Sequence, residues 1–447
     1  MRILHTADWH LGHRLYDRDR TNEHRAALAW LLDTIETEKV DLLIVAGDVF
    51  DVTNPSNQAR ELYYDFLGQL ARTSCQGAVI VGGNHDSPAM LDAPRDVLKF
   101  LNLHVIGSAR PQVQGEVIQI DTQDESVIVA AVPYLRERDI RKSRFGETSA
   151  ERLADLQTGI RTHYEAVAAA ATELRTNPTT PIIATGHLFA GGASDHPEKK
   201  SYIYQADEHN IEGAHFPAVF DYVALGHIHR AQRVGGQEHI RYSGSLIPLT
   251  FVEGQLPRSV QIVDLKKAGE PIETRKIEVP YFRRLIRLHD ELPAVEQALI
   301  NEVITYQNTS AASSQQRQPP PQAAAKRIAN QVSPIANRQS LTPWAEVRVK
   351  TNTPIPNLNL HLEEVVRKAT DPQKITPALE FARRSQEKLN PAPAAAPVAK
   401  IRLSELDPEE VFTGICHGEG YPPERTAELL ADFRTLRNWY VEEKANA

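Results

Sequence analysis

The chain has 447 residues and a formal net charge of −8. This length predicts two or three domains, and the acidic balance excludes a protein that holds nucleic acid through its bulk charge. The two cysteines, Cys75 and Cys416, lie far apart without metal-ligand spacing, which excludes a disulfide framework and favours a reducing compartment.

Residues 1–280 alternate short Val/Ile/Leu runs with amphipathic segments. Strands that alternate with helices predict a layered α/β domain with its helices on the outside. The predicted elements are helices over residues 26–36, 59–70 and from 149 onward, a hairpin of strands 117–120 and 127–132, and closing strands over 242–245 and 260–264.

After Pro280 the pattern changes to two strand–helix units, which predict a small α+β domain over residues 281–390. Segment 308–341 interrupts this domain. It is rich in Ser, Gln, Ala and Pro, and it is predicted to be disordered because it cannot bury a core. The predicted elements are strands over residues 281–288 and 344–350 and helices over 292–306 and 360–368.

Residues 391–400 form a Pro/Ala linker, and the acidic residues 401–447 beyond it predict a helical hairpin. An apolar stripe on so short a unit has to pack somewhere. It either docks on its own chain or binds a partner helix pair, and the tether favours the partner. The stripe consists of Leu429, Phe433, Leu436 and Tyr440.

Five apolar, strand-like segments each run directly into residues that ligate metals. The carboxyl ends of strands in an α/β sheet are where loops converge on a site. Alternation along an extended segment also places ligands two residues apart on the same side. The candidate metal ligands are Asp8, His10, Asp48, Asn84, His187, His227 and His229.

This mixture of oxygen and nitrogen ligands suits two divalent metal ions, Mn²⁺ first, with Mg²⁺, Fe²⁺ or Zn²⁺ as alternatives. Asp48 follows Gly47, whose flexibility allows the turn that aims a bridging carboxylate. Two such ions support in-line displacement at phosphorus. His85 adjoins Asn84 but is spare, so it is the candidate catalytic residue, donating a proton to the leaving oxygen, with Asp86 a candidate to orient it.

Each motif alone has a plainer interpretation, since a Gly-Asp pair after a strand is usually turn chemistry. Five independent segments with the same placement favour a metal site over five unrelated turns. The remaining histidines are interpreted as packing or surface residues, namely His5, His104, His163, His209 and His215.

The ligand motifs resemble the signatures of the calcineurin-like metallophosphoesterases. These motifs are Asp8-x-His10, Gly47-Asp48, Gly83-Asn84-His85-Asp86, Gly186-His187 and Gly226-His227-x-His229. Their flanking residues are similar to the SbcD family of bacterial DNA repair nucleases. The resemblance implies a layered β-sandwich domain flanked by helices over residues 1–280, with the α+β domain capping its site.

The resemblance also implies the roles of the site residues. One metal would be held by Asp8, His10, Asp48 and His229, and the other by Asp48, Asn84, His187 and His227, with His85 catalytic. The implied activity is Mn²⁺-dependent DNA cleavage in repair, replication and recombination. It would comprise a 3′→5′ exonuclease on duplex DNA and an endonuclease on single strands and hairpins.

The partner in this family is SbcC, an SMC-like ABC-type ATPase with a long coiled coil. The resemblance implies that the hairpin 401–447 grips the base of that coiled coil. It further implies a homodimer, and therefore a heterotetramer with the ATPase. The helix after the second motif is the candidate dimer surface, with Tyr63, Phe66, Leu67 and Leu70 as candidate contacts.

Some positions depart from the wider family. Asp51 stands where the archaeal and eukaryotic branch has a histidine, and the bacterial branch shares the aspartate. The sequence after His187 diverges from that of the family, and the insert 308–341 is unusual. These two departures bear on how DNA is positioned and not on the chemistry of cleavage. The basic loop 136–144 and Arg14, Arg18 and Arg20 are the local candidates for phosphate contact, although plain solvated side chains are the favoured interpretation.

Two alternatives to a DNA nuclease stay open at this point. One is a small-molecule or cyclic-nucleotide phosphodiesterase, against which the capping domain and tethered hairpin count. The other is a non-catalytic scaffold, against which the complete ligand set and His85 count. The sequence shows no signal peptide and no apolar run of membrane-spanning length, so we expect a cytoplasmic, nucleoid-associated protein.

Overall fold

A computed structural model describes most of the chain. The described residues are 1–122, 125–142, 147–191, 211–315, 341–374, 377–387, 409, 412–413, 416 and 425–435. The chain divides into two compact units, Met1–Glu387 and Lys388–Ala447, and each is described by itself.

The first unit contains all of the named strands and helices. The strands are β1 (Arg2–Thr6), β2 (Arg14–Leu15), β3 (Arg18–Asp19), β4 (Leu42–Ala46), β5 (Gly77–Val81), β6 (Leu103–Ile106), β7 (Val117–Asp121), β8 (Ser126–Ala130), β9 (Ile182–His187), β10 (Ala190–Gly191), β11 (Ile211–Glu212), β12 (Tyr222–Gly226), β13 (Gln232–Val234), β14 (Gln237–Tyr242), β15 (Arg258–Asp264), β16 (Glu273–Val279), β17 (Arg283–Glu291), β18 (Leu341–Lys350) and β19 (Glu380–Glu387). The helices are α1 (Thr21–Glu38), α2 (Asn57–Leu70), α3 (Pro88–Asp92), α4 (Arg95–Leu98), α5 (Glu137–Ile140), α6 (Ser149–Leu174), α7 (Leu292–Gln315) and α8 (Leu358–Ala369).

Two six-stranded sheets form the frame of this unit. The first has the order β16-β15-β1-β4-β5-β6 and the second the order β13-β14-β12-β9-β8-β7. The central strands of both sheets are parallel, because helical crossovers such as α1 and α2 return the chain to the same edge. The carboxyl ends of these parallel strands therefore share one edge of each sheet.

The apolar side chains form three layers, as expected for parallel strands covered on both faces. One cluster joins the two sheets and includes Ile3, Ile44 and Ile183, all fully buried. A second packs the first sheet against α1 and α2, and a third packs the second sheet against α6. His5 also spans the two sheets, since its Nδ1 lies 2.9 Å from the Tyr222 hydroxyl. The predicted layered α/β fold is confirmed.

Most predicted elements of residues 1–280 are present, with one error in the closing strands. The hairpin of β7 and β8 pairs Asp121 with Ser126, as predicted. The strand expected over residues 242–245 is wrong, because β14 ends at Tyr242. Gly244 has a φ of +81°, which breaks the extended conformation. The edge strand β16 went unpredicted because it is polar and mostly exposed.

A three-stranded parallel sheet, β17-β18-β19, lies after these sheets, and we call it the accessory sheet. Helices α7 and α8 cover one of its faces, and Leu299 and Leu362 are fully buried there. Helix α7 continues to Gln315, past the predicted start of the disordered insert at residue 308. The prediction of disorder is therefore wrong for residues 308–315 and for Leu341, which begins β18, and residues 316–340 lie outside the described part of the chain.

In the second unit, residues 425–435 are helical. The ring of Phe433 stacks on Phe412 with centroids 4.5 Å apart, and Arg434 pairs with Glu409 at 2.7 Å. The linker 391–400 and the stripe residues Leu436 and Tyr440 lie outside the described residues. None of the helices described combines the length and apolar character that crossing a bilayer requires.

The side chains predicted as dimer contacts on α2 do not form a surface. All four are 1–2% exposed, since the apolar stripe of α2 packs into the core of its own chain; they are Tyr63, Phe66, Leu67 and Leu70. That expectation is wrong. The exposed apolar or aromatic side chains on and around α2 are instead Val52, Tyr64, Val97, Phe100 and Leu101, with Phe100 91% exposed.

The cluster between the two sheets predicts a large loss of stability for Ile44→Ala. Ile44 is fully buried, and a buried Ile→Ala substitution costs about 2–5 kcal/mol through lost transfer free energy and a residual cavity. Ile304→Ala is the matched control, because Ile304 is 47% exposed. Denaturant unfolding of both variants measures the difference, and equal losses would contradict this assignment of the core.

Candidate metal centre

The five ligand-bearing segments converge where the carboxyl ends of β1, β4, β5, β9 and β12 meet. Backbone hydrogen bonds hold the segments in register. The amide of Asp8 donates to the carbonyl of Gly47 at 3.0 Å, and the amide of His10 donates to the carbonyl of Asp48 at 3.0 Å. The amide of His227 donates to Oδ1 of Asp8 at 2.9 Å, which ties the second sheet to the first.

Asp8, His10 and His229 form a first group of ligands. Their ligand atoms lie within 4.8 Å of one another, and all three residues are buried. Oδ2 of Asp8 and Nε2 of His10 are buried without a hydrogen-bond partner. Such atoms are costly to bury unless they are satisfied by something else, and a cation fits this donor set.

Asp48 and His187 form a second group with the same Asp8. Nε2 of His187 lies 3.2 Å from Oδ2 of Asp48 and 2.9 Å from Oδ1 of Asn84. Nδ1 of His227 lies 3.2 Å from the same Asn84 oxygen. The neutral amide oxygen of Asn84 therefore lies between His187 and His227.

The carboxylate of Asp48 lies between the two groups. Its Oδ2 is 3.5 Å from Nε2 of His10 and 3.2 Å from Nε2 of His187. Its Oδ1 accepts the amide of His85 at 2.9 Å, which fixes the orientation of the carboxylate. The Asp48 carboxylate therefore contacts a histidine of each group.

His85 lies at the rim of the site beside Asp51. The rings of His85 and His10 are 4.8 Å apart between centroids. Nδ1 of His85 donates to the carbonyl of Asp51 at 2.7 Å, so Nε2 is the nitrogen left for chemistry. The carboxylate of Asp51 bonds Nδ1 of His10 at 3.1 Å and thereby orients a metal ligand.

Asp86 does not orient His85, and that expectation is wrong. Its carboxylate instead accepts three backbone amides, from Val49 at 3.1 Å, Phe50 at 2.9 Å and Gly83 at 2.8 Å. It therefore joins the loop after β4 to the loop after β5. Burial and the nearby charge of Asp48 raise the pKa of Asp86 to about 6.

The charges of the centre shift the pKa values of its ligands strongly. Burial lowers the pKa of His187, but the carboxylate of Asp48 outweighs burial and raises that pKa to about 9. Burial raises the pKa of Asp48, but His187 outweighs it and holds the pKa well below its usual range. Likewise burial lowers the pKa of His10, but the carboxylates of Asp51, Asp48 and Asp8 together outweigh burial and raise that pKa. The raised pKa values of His10 and His187 favour protons on these two rings beside the buried carboxylates when no cation is present.

Several ligand residues adopt a strained backbone. Positive φ angles are uncommon outside glycine, and they cluster at functional sites. Here they occur at Asp8 (53°), His10 (47°), Asp48 (49°) and His227 (96°). The strain aims the side chains at one point, and the surrounding hydrogen bonds maintain it.

Two glycines are required by the close approach of ligands. A Cβ at Gly83 would lie 2.1 Å from Oδ1 of Asp48, and one at Gly47 would lie 2.2 Å from Nδ1 of His187. Gly47 also has a φ of +88°. The predicted turn at Gly47 is confirmed, and the glycine has the second purpose of making room for His187.

Glu253 is the residue of the centre that sequence reasoning missed. It is buried, and its Oε1 accepts from Nδ1 of His229 at 3.1 Å. Its Oε2 accepts the amide of Leu249 at 2.9 Å. A carboxylate that holds the far nitrogen of a ligating histidine fixes the ring orientation. No local motif marks Glu253, because it lies on a short 3₁₀ turn far from His229 in sequence.

The arginines that were considered as phosphate contacts differ in whether their guanidinium groups are already paired within the chain. Arg20 is 1% exposed and paired with Glu23, and Arg18 bonds Glu380 at 2.8 Å. Arg18 and Arg20 therefore stabilise the fold through ion pairs within the chain. Arg136 is closer to the centre, since its Nη2 donates to the carbonyl of Asp86 at 3.1 Å.

The packing interpretation is confirmed for His5 and His163. Burial lowers the pKa of His5 to about 3, so the ring between the sheets is neutral. His163 bonds the buried Glu116 at 2.8 Å. His209 lies outside the described residues.

Comparison with known proteins agrees with this geometry. The model of the calcineurin-like phosphoesterase family matches residues 1–231. The SbcD component of the SbcCD nuclease of Escherichia coli K12 is 41% identical over 302 residues, which cover 67% of this chain and 73% of that protein. Its counterpart in Rhodobacter capsulatus is 35% identical over 68% of this chain and 74% of its own length, and that of Bacillus subtilis is 33% identical over 60% and 68%. The chain belongs to the SbcD family of calcineurin-like phosphoesterases.

As a member of the SbcD family, the chain is a hydrolase of phosphoester bonds with a candidate centre for two divalent metal ions. The chemistry of its donor set agrees with that family. The buried carboxylates and histidines are the oxygen and nitrogen ligands that such ions take.

The shifted pKa of His187 predicts proton release on metal binding. His187 is protonated below about pH 9 without metal and has to be neutral to act as a ligand, so metal affinity falls as the pH falls from about 9. Calorimetric titration of Mn²⁺ into the metal-free protein, in buffers of different ionisation enthalpy, measures the protons released. An apparent affinity that is constant between about pH 6 and about pH 9 would contradict this charge balance.

Proposed function

We propose that the chain is the metal-dependent DNA nuclease subunit of an SbcCD-type complex. The position of the Asp48 carboxylate carries this proposal, since it lies within 3.5 Å of both His10 and His187. One carboxylate between two ligand groups suits a two-metal hydrolytic site. The relatives, which are named as components of the SbcCD nuclease, support DNA as the substrate.

The residue roles follow the two ligand groups. Asp8, His10, Asp48 and His229 hold one ion, and Asp48, Asn84, His187 and His227 hold the other. Mn²⁺ is the first candidate because the site mixes hard oxygen with borderline nitrogen ligands, and Mg²⁺, Fe²⁺ or Zn²⁺ are alternatives. When bound, two such ions supply an activated water and stabilise charge on the phosphoryl group.

His85 is the proton donor of the proposed reaction. Its Nδ1 carries a hydrogen, because the Asp51 carbonyl at 2.7 Å can only accept. Nε2 of the doubly protonated ring is therefore the atom that would donate a proton to the leaving oxygen, which leaves a neutral ring with its hydrogen on Nδ1. The carbonyl of Asp51 keeps the ring in place while the proton moves, and the ring of His10 limits its rotation.

The proposed substrates are duplex ends, single strands and hairpins. The activity is a 3′→5′ exonuclease on duplex DNA and an endonuclease on single strands and hairpins, in repair, replication and recombination. Because the net charge is −8, DNA binding would rely on a local basic patch, on the metal ions or on a partner subunit rather than on bulk charge.

The proposed partner is an SbcC-like ATPase, which residues 401–447 would bind through their apolar face. Two copies of this chain would form a homodimer, giving a heterotetramer with the ATPase. The exposed side chains of Val97, Phe100 and Leu101 offer an apolar surface for the second copy. Such a complex would work in the cytoplasm on nucleoid DNA.

A small-molecule phosphodiesterase with the same metal centre is the second candidate. It has no need of the accessory sheet or of a tethered C-terminal segment, and both count against it. A non-catalytic scaffold is disfavoured because the ligand set and His85 are complete.

His85→Ala tests the chemistry. We expect DNA cleavage with Mn²⁺ to fall by about 10²- to 10⁴-fold, because a positioned proton donor contributes that much. The bound metal should be unchanged, since His85 is not assigned as a ligand. His289→Ala on the accessory sheet is the matched control, because that histidine is exposed. Cleavage at the normal rate by His85→Ala would refute the catalytic role.

Deletion of residues 401–447 separates the two candidate functions. We expect the shortened protein to cleave bis(p-nitrophenyl) phosphate at the rate of the full chain, because its metal centre lies within the first unit. Co-purification with an SbcC-like ATPase should be lost. Retained binding of the ATPase would show that the C-terminal segment is not the docking element.

A further inference from the structure

The accessory sheet meets the rest of its unit at one small apolar cluster, which we call the joint. The joint consists of four buried side chains, Leu15, Phe251, Leu285 and Trp344. Leu285 and Trp344 belong to the accessory sheet, whereas Leu15 and Phe251 belong to segments that continue into the metal centre. The joint therefore connects the two.

The first connection runs through Phe251 to His229. Phe251 precedes the 3₁₀ turn Glu253–Gln255, and Glu253 holds Nδ1 of His229 at 3.1 Å. The turn lies directly on β17. A Cβ at Gly254 would lie 2.7 Å from Cβ of Leu285, and Nε2 of Gln255 donates to the Leu285 carbonyl at 3.2 Å.

Arg258 fastens the same turn to the ligand loop. Its Nη1 donates to the carbonyl of His229 at 2.6 Å, and its Nη2 donates to the carbonyl of Glu253 at 3.0 Å. The guanidinium is 4% exposed, so these bonds form in a medium that strengthens them. A shift of the turn is therefore transmitted to His229 through both its ring and its backbone.

The second connection runs through Leu15 to His10. Leu15 lies on the short hairpin β2–β3, which begins a few residues after His10. The ring of Tyr16 stacks on Phe251 with centroids 5.9 Å apart, and its hydroxyl donates to Glu346 of β18 at 2.7 Å. The accessory sheet thus contacts the segments of two ligands of the first group.

The other ligand group is anchored differently. Nδ1 of His187 donates to the carbonyl of Ala46 at 2.9 Å, and both residues lie in strands of the six-stranded sheets. Asn84 is held by its bonds to His187 and His227. These contacts are made within the six-stranded frame, away from the joint.

We infer that Glu253 is a positioning residue through which the accessory sheet sets the metal affinity of the site formed by Asp8, His10 and His229. The inference rests on the proposed two-metal centre. When the sheet is seated on the joint, Glu253 holds the His229 ring toward that site. A ligand that moves the sheet would change the occupancy of this one metal site and leave the other in place.

The experiment measures metal binding rather than turnover. Calorimetric titration of Mn²⁺ into the metal-free full chain should give two sites, and a wild-type chain with fewer than two would count against the proposed centre itself. Glu253→Ala should weaken one site by about 10- to 100-fold, the usual effect of losing the carboxylate behind a ligating histidine. Glu253→Gln should weaken the same site less than Glu253→Ala does, because its one amide oxygen can still accept from His229 while the amide of Leu249 loses its acceptor.

A matched pair of leucines tests the role of the sheet. Leu285→Ala changes the joint, whereas Leu299→Ala removes an equally buried leucine from the core that the accessory sheet forms with its own helices. We expect Leu285→Ala to weaken one Mn²⁺ site several-fold and Leu299→Ala to weaken neither. Equal weakening in both variants, or none in either, would overturn the inference.

If Leu285→Ala does not fold, Gln255→Ala takes its place. Gln255 is exposed, and the substitution removes only the hydrogen bonds of its side chain to Leu285 of β17 and to Phe251. We expect weakening of the same single site that Glu253→Ala affects. Weakening of both sites, or of the other site alone, would overturn the inference.

Discussion

The structure depends on one electrostatic constraint, the burial of two carboxylates at a single point. Asp8 is 0% exposed and Asp48 is 2% exposed, and both face the same set of buried histidines. Like charges this close are unstable in a medium of low dielectric constant unless cations or protons balance them. The two six-stranded sheets supply the frame that holds them there, and divalent ions supply the balance that the function requires.

Backbone hydrogen bonds of the two six-stranded sheets hold these two carboxylates in place. The left-handed conformations of the ligands are unfavourable alone, and they persist because amide-to-carbonyl bonds between strand ends hold them. Asp86 contributes by joining two loops, since its buried carboxylate accepts three backbone amides. Stability and function are thus joined at the same edge of the sheets, so that a ligand substitution there affects both.

The supporting residues could not be read from the sequence in the way that the ligands could. Asp51 orients His10, and Glu253 orients His229, through contacts across 41 and 24 positions. Such contacts have no local periodicity and no fixed spacing. Sequence reasoning noticed Asp51 only as a family marker, gave Asp86 the wrong neighbour, and passed over Glu253. The accessory sheet was predicted as strand–helix units. Its contact through Phe251 with the segments of the metal centre could not be predicted from the sequence.

The sequence by itself determined the ligand types, the strand-end positions that deliver them and the layered α/β class. It could do so because strands, turns and the spacing of Asp8 and His10 are local properties of the chain. Only the tertiary structure decided which ligands share a group and which apolar faces are free. The stripe of α2 shows the reason: periodicity reveals that Phe66 lies on an apolar face, but not whether that face packs on its own core or on a partner.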